Sequence, residues 1–236
     1  MTELLYQTDS YLKEFTATVT GVEVEQHGVY LDRTAFYPGG GGQPHDMGAL
    51  LLGERRYTVS KVAKGNLHIL ADADLPAVGA TVQGILDWER RYQLMRTHSA
   101  MHILCGVVWR DYSASVTGGN MEPLEGRMDF EFERLQKELV SEIETRINAE
   151  VSAARDLRVK ILPREQAFQI PDLIRTKINL LPEGIPEVRT VEIVGLDLQA
   201  DGGTHVANTR EVGHIRITDY KSKGGINKRI YVALDQ

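Results

Sequence analysis

Two histidines one helical turn apart, His98 and His102, have the residue type and the spacing of metal ligands. They lie in residues 88–109, whose pattern predicts a helix, so both imidazoles face the same side. A second motif, Asp201-Gly-Gly-Thr-His205, offers another imidazole and a carboxylate on a glycine turn. Three nitrogen donors and one oxygen suit tetrahedral zinc better than calcium or magnesium. A His-x3-His pair alone is a weak signal, but together the two motifs predict a zinc site.

The composition indicates an ordinary globular protein that works in the cytoplasm. The chain has 236 residues, of which 42% are hydrophobic and 25% charged. Its apolar stretches are too short to span a bilayer, and its first residues lack the pattern of a signal peptide. The single cysteine, Cys105, excludes an intrachain disulfide and is expected to be a buried core thiol.

The charge argues against a uniformly basic nucleic-acid binder, since the formal net charge is −6. Basic residues are nevertheless concentrated at two places, beside the histidine pair and on a predicted hairpin near the end of the chain. The candidates for RNA phosphate contacts are Arg90, Arg91, Lys221, Lys223, Lys228 and Arg229. Each cluster by itself also fits a solvated surface.

The pattern of elements predicts an α+β protein with two domains, residues 1–87 and 88–236. Short alternating strands in the first domain indicate a small β-barrel. They are expected at residues 15–25, 29–32, 56–62, 66–70 and 81–87. The second domain reads as helices on an antiparallel sheet. It has predicted helices at 88–109 and 133–154, a helical turn at 164–168, a proline-bearing loop at 170–186, and strands at 116–119, 126–132, 157–162, 188–193, 213–220 and 228–234.

A run of four glycines lies within the predicted barrel, directly after Pro38. Such a run forms neither helix nor strand readily, because each glycine loses much backbone entropy on folding. Its use is close approach of the backbone to a ligand, with several N–H groups able to donate. Gly39, Gly40, Gly41 and Gly42 are therefore candidate substrate-binding residues.

Taken together, the motifs resemble the AlaX family of free-standing alanyl-tRNA editing proteins and the editing domain of alanyl-tRNA synthetase. The matching segments, in order, are Phe36-Tyr-Pro-Gly-Gly-Gly-Gly-Gln43, His98-Ser-Ala-Met-His102, Arg127-Met-Asp-Phe130 and Asp201-Gly-Gly-Thr-His-Val-Ala-Asn-Thr-Arg-Glu-Val-Gly213. The length and the glycine loop resemble the medium-sized members. The resemblance implies a glycine-rich barrel subdomain followed by an α+β editing core.

The function implied by the resemblance is hydrolysis of the ester that joins a wrong amino acid to tRNA(Ala), chiefly serine and secondarily glycine. The zinc-ligand roles carry over to His98, His102 and His205. Where synthetase-linked members usually have cysteine, this chain has Asp201. Asp201 is then either the fourth ligand or a group that holds or deprotonates a water.

Further site residues are expected around the glycine loop. Gln43, which ends the glycine motif, is expected to position water or substrate. Thr34 has the hydroxyl needed to recognise serine, although it also fits a strand residue. Thr204, between Asp201 and His205, is a candidate substrate contact. The remaining histidines fit surface or turn positions better than ligand positions: His27, His45, His68 and His214.

Three other functions fit the same residues. The editing domain of threonyl-tRNA synthetase shares the histidine-bearing core, so threonyl-system editing is the nearest. Another zinc-dependent ester hydrolase is the second. The third is an RNA-binding module whose zinc is structural.

Overall fold

The computed structural model describes residues 2–175, 181 and 184–236. It divides into two compact units, Met1–Gln93 and Leu94–Gln236. The boundary predicted from the sequence lies between residues 87 and 88, at the start of a helix. The observed division lies within that helix.

The first unit is a closed antiparallel barrel. Its strands in chain order are β1 (Glu3–Leu4), β2 (Glu14–Glu23), β3 (Gly28–Leu31), β4 (Arg33–Thr34), β5 (Gly48–Leu52), β6 (Arg55–Ala63), β7 (Leu67–Leu70) and β8 (Thr81–Leu86). The barrel closes in the order β2-β3-β7-β6-β5-β8, and β1 pairs in parallel with β4 beside it. Buried and exposed side chains alternate along the strands, as a barrel with a filled interior requires. In β2, Phe15, Ala17 and Val19 are buried, while the residues between them are more exposed.

The second unit combines helices with two antiparallel sheets. In chain order the elements are α1 (Trp88–Tyr112, whose first residues belong to the barrel unit), β9 (Val116–Glu122), β10 (Glu125–Glu131), α2 (Lys137–Ser152), β11 (Leu157–Pro163), α3 (Arg164–Ala167), β12 (Glu187–Ile193), β13 (Asp197–Ala200), β14 (Ile215–Ser222) and β15 (Asn227–Leu234). One sheet has the order β14-β15-β10-β9 and the other β11-β12-β13.

Helix α2 is fixed on the larger sheet by an amide side chain as well as by its apolar stripe. Asn148 donates to the carbonyl of Ile215 at 2.8 Å and accepts from the N–H of the same residue at 2.9 Å. Ile143 and Ile147 on the inner face of the helix are fully buried. The stripe that the sequence shows at helical spacing is therefore core.

The predicted α+β fold and the barrel are confirmed. Strands β1, β4, β5 and β13 were not predicted, and α2 begins four residues later than predicted, because residues 133–136 precede the helix. Strand β5 is a continuous apolar run without alternation, and β13 is too short for a period to show. The predicted loop at 170–186 lies partly outside the described residues, which omit 176–180, 182 and 183.

Among the described residues, no helix combines the length and the apolar character that crossing a membrane requires.

Candidate metal centre

Helix α1 presents the two predicted ligands on one face. His98 and His102 are both buried, and their ring centroids lie 5.1 Å apart. The i,i+4 spacing places each side chain over the same side of the helix, one turn apart. The sequence prediction that the two imidazoles share a face is confirmed.

The loop after β13 brings the third imidazole to them. The N–H of Gly203 donates to Asp201 Oδ2 at 2.8 Å, which folds the loop into a tight turn. The turn places the His205 ring 4.3 Å from that of His98 and 4.8 Å from that of His102, centroid to centroid. Residues far apart in the sequence thus form one buried group of three imidazoles.

Asp201 lies at the edge of this group with its carboxylate against the rings. Its Oδ2 is 2.9 Å from His205 Nε2, and its Oδ1 is 3.6 Å from His98 Nε2. Arg189 of β12 adds a positive charge, since its Nη1 donates to the Asp201 carbonyl at 2.9 Å and lies 3.7 Å from Oδ2. The side chain is therefore held in the position of a fourth donor.

Burial and mutual charge set the protonation of the group. Burial lowers the pKa of His98 well below its usual 6.5, and it lowers the pKa of His205 to about 4 against the opposing hydrogen bond to Asp201. Burial would also lower the pKa of His102, but the hydrogen bond and charge of Asp197 raise it. Burial would raise the pKa of Asp201, yet the neighbouring imidazoles hold it well below 3.8. His98 and His205 are thus held as neutral imidazoles beside an ionised Asp201, which are the states in which such groups bind metal.

The donor set fits a metal ion. One ligand atom from each of His98, His102, Asp201 and His205 lies within 4.8 Å of all the others. Nitrogen and carboxylate oxygen donors in this number are typical of tetrahedral zinc sites. The structure therefore brings together the three histidines predicted as ligands and Asp201, predicted either as the fourth ligand or as a group that handles water.

Supporting side chains around the ligands were not predicted. Ser99 Oγ lies 3.1 Å from His205 Nδ1 and accepts from the N–H of Val206 at 3.2 Å, which fixes the ring of His205. Ser99 stands inside the His98–His102 motif, so its position between two ligands was an available signal. Arg189 and Asp197 gave a weaker one, because a charged residue in a strand, such as Arg189 between Glu187 and Glu192, also fits a surface position.

The glycine loop of the first unit has the unusual backbone that its sequence predicts. All four glycines have positive φ, between 58° and 138°. Gly40 and Gln43 exchange two backbone hydrogen bonds, of 3.0 and 2.9 Å. Gly40 and Gly41 are exposed, whereas the Gln43 side chain is buried. Only glycine adopts such a run of left-handed conformations without strain, but substrate contact by these residues stays a prediction.

Thr34 lies in the barrel interior. Its Oγ1 is 2.8 Å from His68 Nε2 and accepts from the N–H of Phe36 at 3.1 Å. The expectation that His68 is a surface or turn residue is wrong, because the side chain is fully buried within β7. A buried imidazole requires polar partners, and Thr34 supplies one of them. The role of Thr34 in serine recognition stays a prediction.

Arg91 does not fit its predicted RNA contact. Its side chain is fully buried and paired with the carboxylate of Asp46, and it donates to the carbonyls of Ser10 and Ala35. Asp46 in turn accepts from the N–H of Tyr37 at 2.6 Å, so this ion pair anchors the base of the glycine loop. The prediction for Arg91 is corrected: a residue without exposed surface holds the loop and does not meet phosphate.

The other predicted RNA contacts differ in exposure. Lys221 and Lys223 are exposed at the tip of the β14–β15 hairpin. Lys228 is buried with its Nζ on the carbonyl of Gly225, and Arg229 is held by Asp129 through contacts of 2.6 and 2.7 Å. Arg90 is partly exposed and donates to the carbonyl of His45. Lys221 and Lys223 are thus the best exposed of the hairpin candidates.

Two further predictions concern buried residues of the second unit. Thr204 is fully buried beside the ligand His205, so its contact with substrate stays a prediction. Cys105 is buried in α1 as expected, and burial raises the pKa of its thiol. A thiol in that state is a poor nucleophile.

Two family models match parts of the chain. Residues 188–231 match the model described as the threonyl and alanyl tRNA synthetase second additional domain. Residues 6–90 match the model for class II (A) tRNA synthetases. The first segment includes Asp201 and His205, and the second includes the glycine loop.

Curated relatives extend the match over nearly the whole chain. The alanyl-tRNA editing protein AlaX-M of Saccharolobus solfataricus is 41% identical, with 98% of each chain covered. AlaX-M of Methanosarcina acetivorans is 37% identical, with 99% of each covered. The alanine–tRNA ligase of Ignicoccus hospitalis is 37% identical over 98% of this chain, which corresponds to 26% of the ligase. At this identity and coverage, the chain belongs to the family of AlaX-M alanyl-tRNA editing proteins.

Proposed function

We propose that this chain is a trans-editing aminoacyl-tRNA deacylase that hydrolyses mischarged tRNA(Ala) and spares Ala-tRNA(Ala). The wrong amino acid is chiefly serine, with glycine second. The observation that carries the proposal is the group of three buried imidazoles, His98, His102 and His205, with the partly buried Asp201 beside them, in a chain of this editing family. The activity belongs in the cytoplasm, where aminoacyl-tRNA is used.

The metal in this proposal is zinc, held by the three imidazoles. When bound, zinc supplies a Lewis acid that polarises an oxygen of the substrate or of water. Asp201 is the fourth donor in the first version of the proposal, because its carboxylate already lies against His205 and His98. A site with four protein ligands is closed, so in this version zinc is more structural than catalytic. In the second version Asp201 holds a water or removes its proton.

The protein's own residues supply a dry, fixed surround for the ester. Each of the three imidazoles is buried and stands against the others, so the site has little room for bulk water. Arg189 keeps the Asp201 turn in place through the carbonyl. An aminoacyl ester is intrinsically labile, so positioning and modest charge stabilisation suffice.

Discrimination against alanine is the harder task, since serine differs from alanine by one hydroxyl. A pocket that hydrogen-bonds this hydroxyl disfavours the analogue without it by up to about 10⁴–10⁵, because its polar groups are then left unpaired. We assign this recognition to Thr34, and positioning of water or substrate to Gln43. The N–H groups of the glycine loop and the hydroxyl of Thr204 contact the acceptor end.

The partner is the acceptor end of tRNA(Ala). A chain with net charge −6 has no uniformly basic surface, so phosphate contacts are local. We assign them first to Lys221 and Lys223, whose side chains are exposed, and then to Arg90. RNA helices are read mainly through shape and backbone, which agrees with a few such contacts.

The test compares hydrolysis of Ser-tRNA(Ala), Gly-tRNA(Ala) and Ala-tRNA(Ala) by the purified chain before and after zinc removal. The expected result is rapid loss of serine, slower loss of glycine and no loss of alanine, with all activity lost on chelation and regained with zinc. His98→Ala abolishes zinc binding and deacylation, whereas His214→Ala, at an exposed histidine, leaves both unchanged. Folded, zinc-loaded protein that hydrolyses none of the three esters would overturn the proposal.

A second candidate is editing in the threonyl system. The matched model for residues 188–231 is described for both the threonyl and the alanyl synthetases. Ser-tRNA(Thr) therefore belongs in the same assay. Faster hydrolysis of Ser-tRNA(Thr) than of Ser-tRNA(Ala) would favour this candidate, and full activity after zinc removal would make the metal structural.

A further inference from the structure

A buried carboxylate stands behind one of the metal ligands. The Asp197 side chain has no exposed surface, and its Oδ2 lies 3.1 Å from His102 Nδ1. It is the first residue of β13, directly after the turn from β12, and it is not one of the four donors. A desolvated carboxylate is costly unless several donors satisfy it.

One oxygen of this carboxylate accepts hydrogen bonds, and the other lies at ion-pair distance from a guanidinium. Gln199 Nε2 donates to Asp197 Oδ2 at 2.7 Å and lies 3.3 Å from Cys105 Sγ. Arg175 Nε lies 3.5 Å from Asp197 Oδ1, and its guanidinium stands 4.7 Å from the centre of the Trp109 ring. The carboxylate is thus held from two sides while its Oδ2 faces the imidazole.

The chemistry of these groups fixes the direction of the hydrogen bond. Asp197 Oδ2 already accepts from the Gln199 amide, so in its contact with His102 the ring nitrogen Nδ1 is the donor and carries the proton. A neutral imidazole with its proton on Nδ1 has its lone pair on Nε2. The contact therefore leaves Nε2 of His102 as the nitrogen available to a metal.

A glycine in α1 makes room for the carboxylate. Gly106 follows His102 by one helical turn, and a Cβ at this position would lie 2.9 Å from Leu196 Cγ and 3.0 Å from Asp197 Cβ. Glycine inside a helix costs about 1 kcal/mol relative to alanine. Its presence here allows the turn that carries Asp197 to pack directly on the helix.

We propose that Asp197 is a positioning residue for His102, and that Gly106 provides the clearance that this role needs. Asp197 fixes both the tautomer and the orientation of the ring, so that Nε2 points to the metal. The inference rests on the proposed function, because it takes His102 as a ligand. Partners of this kind typically account for about 10–100-fold in metal affinity.

The direct test is Asp197→Asn, which keeps the size of the side chain and removes the charge. The matched control is Asp219→Asn, a carboxylate with an exposed side chain in β14. Zinc affinity is measured by competition with a chelator, and ligand geometry by the visible spectrum of the Co²⁺-substituted protein. We expect the zinc Kd of Asp197→Asn to rise about 10–100-fold and its Co²⁺ bands to change. The control should match the wild type in both.

A merely structural role predicts a different result. Asp197→Asn would then lower the melting temperature of the metal-free protein and leave zinc affinity and the Co²⁺ bands as in the control, which would overturn the inference. Should Asp197→Asn not fold, Gly106→Ala is the deciding variant. It removes no polar side chain, and its added methyl group displaces Asp197 from the helix. Alanine normally stabilises a helix, so weaker zinc binding by this variant supports the inference, and unchanged or tighter binding contradicts it.

The readouts separate this inference from the proposed function. Zinc binding that weakens in Asp197→Asn supports the inference even when no aminoacyl ester is hydrolysed. A wild-type chain that binds no zinc would overturn the inference together with the metal part of the proposal.

Discussion

Asp201 stands where the resemblance to the synthetase-linked members leads one to expect cysteine. A thiolate at this position is a strong, soft zinc ligand, whereas a carboxylate binds at a similar distance and also hydrogen-bonds water. Here the carboxylate is surrounded by donors: the N–H of Gly203, the ring of His205 and the guanidinium of Arg189. This environment keeps Asp201 ionised, and it is compatible with either role.

Substitution of Asp201 separates the two roles. Asp201→Asn should weaken zinc binding by at least about tenfold if the carboxylate is a ligand. Asp201→Cys should keep zinc at least as tightly, because thiolate is the softer donor. If the cysteine variant retains deacylation, Asp201 is a ligand. If the variant retains zinc but loses deacylation, Asp201 holds the water or removes its proton. Wild-type affinity and rate in Asp201→Asn would exclude both.

Thr34 combines a structural role with a predicted specificity role. Its hydroxyl satisfies His68 Nε2 and the N–H of Phe36 in the buried interior of the barrel. Removal of the hydroxyl leaves both groups unpaired, which costs about 1–3 kcal/mol for such a group. Stability and specificity therefore have to be measured separately.

Thr34→Val should lower the free energy of unfolding by about 1–3 kcal/mol. If Thr34 reads the serine hydroxyl, the variant should also lower the ratio of Ser-tRNA(Ala) to Gly-tRNA(Ala) hydrolysis, measured as kcat/KM per folded protein. Thr34→Ser keeps the hydroxyl and should preserve the ratio. An unchanged ratio in Thr34→Val would assign Thr34 to the barrel alone.

At the scale of elements, the periodicity of apolar residues predicts those strands and helices whose buried face is set by neighbouring positions in the sequence. The alternation in β2 and the apolar stripe of α2 follow from which residues each element must bury, so both elements could be read from the sequence. The pair His98 and His102 could be read for the same reason, since helical spacing alone places the rings together. The glycines after Asp201 predicted a turn, and that turn offered His205 as the third imidazole.

Polar residues whose partners are distant in sequence could not be read in this way. Arg91 and its partner Asp46 are 45 positions apart, and Asp197 and His102 are 95 apart. Whether a charged residue is a buried partner or a surface cation depends on the tertiary neighbours, which no local period reports. This is why Arg91 was misread as an RNA contact and why Asp197 was missed.

His68 makes the stability of the barrel depend on pH. Burial lowers its pKa to about 4, against the opposing hydrogen bond to the Val29 carbonyl, from the usual 6.5. Between these values the unfolded chain binds a proton that the folded barrel does not, so stability falls as the pH drops from about 6.5 to 4 and then levels off. The difference corresponds to at most about 3 kcal/mol.

The measurement is the free energy of unfolding at several pH values. His68→Gln should be less stable than the wild type at pH 7, and its stability should fall less steeply between about pH 6.5 and 4. His214→Gln, at an exposed position, should keep the wild-type slope. Equal slopes for all three proteins would show that His68 is not a buried neutral imidazole.

At the scale of the whole molecule, several arginines that a simple count of charges would make available to RNA are paired with carboxylates. Arg91 pairs with Asp46, Arg229 with Asp129, and Arg189 lies beside Asp201. These three arginines therefore count toward the charge of the chain but are held by carboxylates. Lys221 also has an acidic neighbour, Asp219 at 3.0 Å, but both side chains are about half exposed and such pairs contribute little.

The hairpin lysines should accordingly act on affinity for tRNA and not on the chemical step. Lys221→Gln and Lys223→Gln are each expected to weaken binding of tRNA(Ala) and to lower the slope of log K against log salt by about 1, because each removes one phosphate contact. The rate at saturating Ser-tRNA(Ala) should not change. Lys61→Gln, at an exposed lysine of the barrel, removes the same charge elsewhere and is the control. Salt slopes that match this control would make the hairpin a solvated surface.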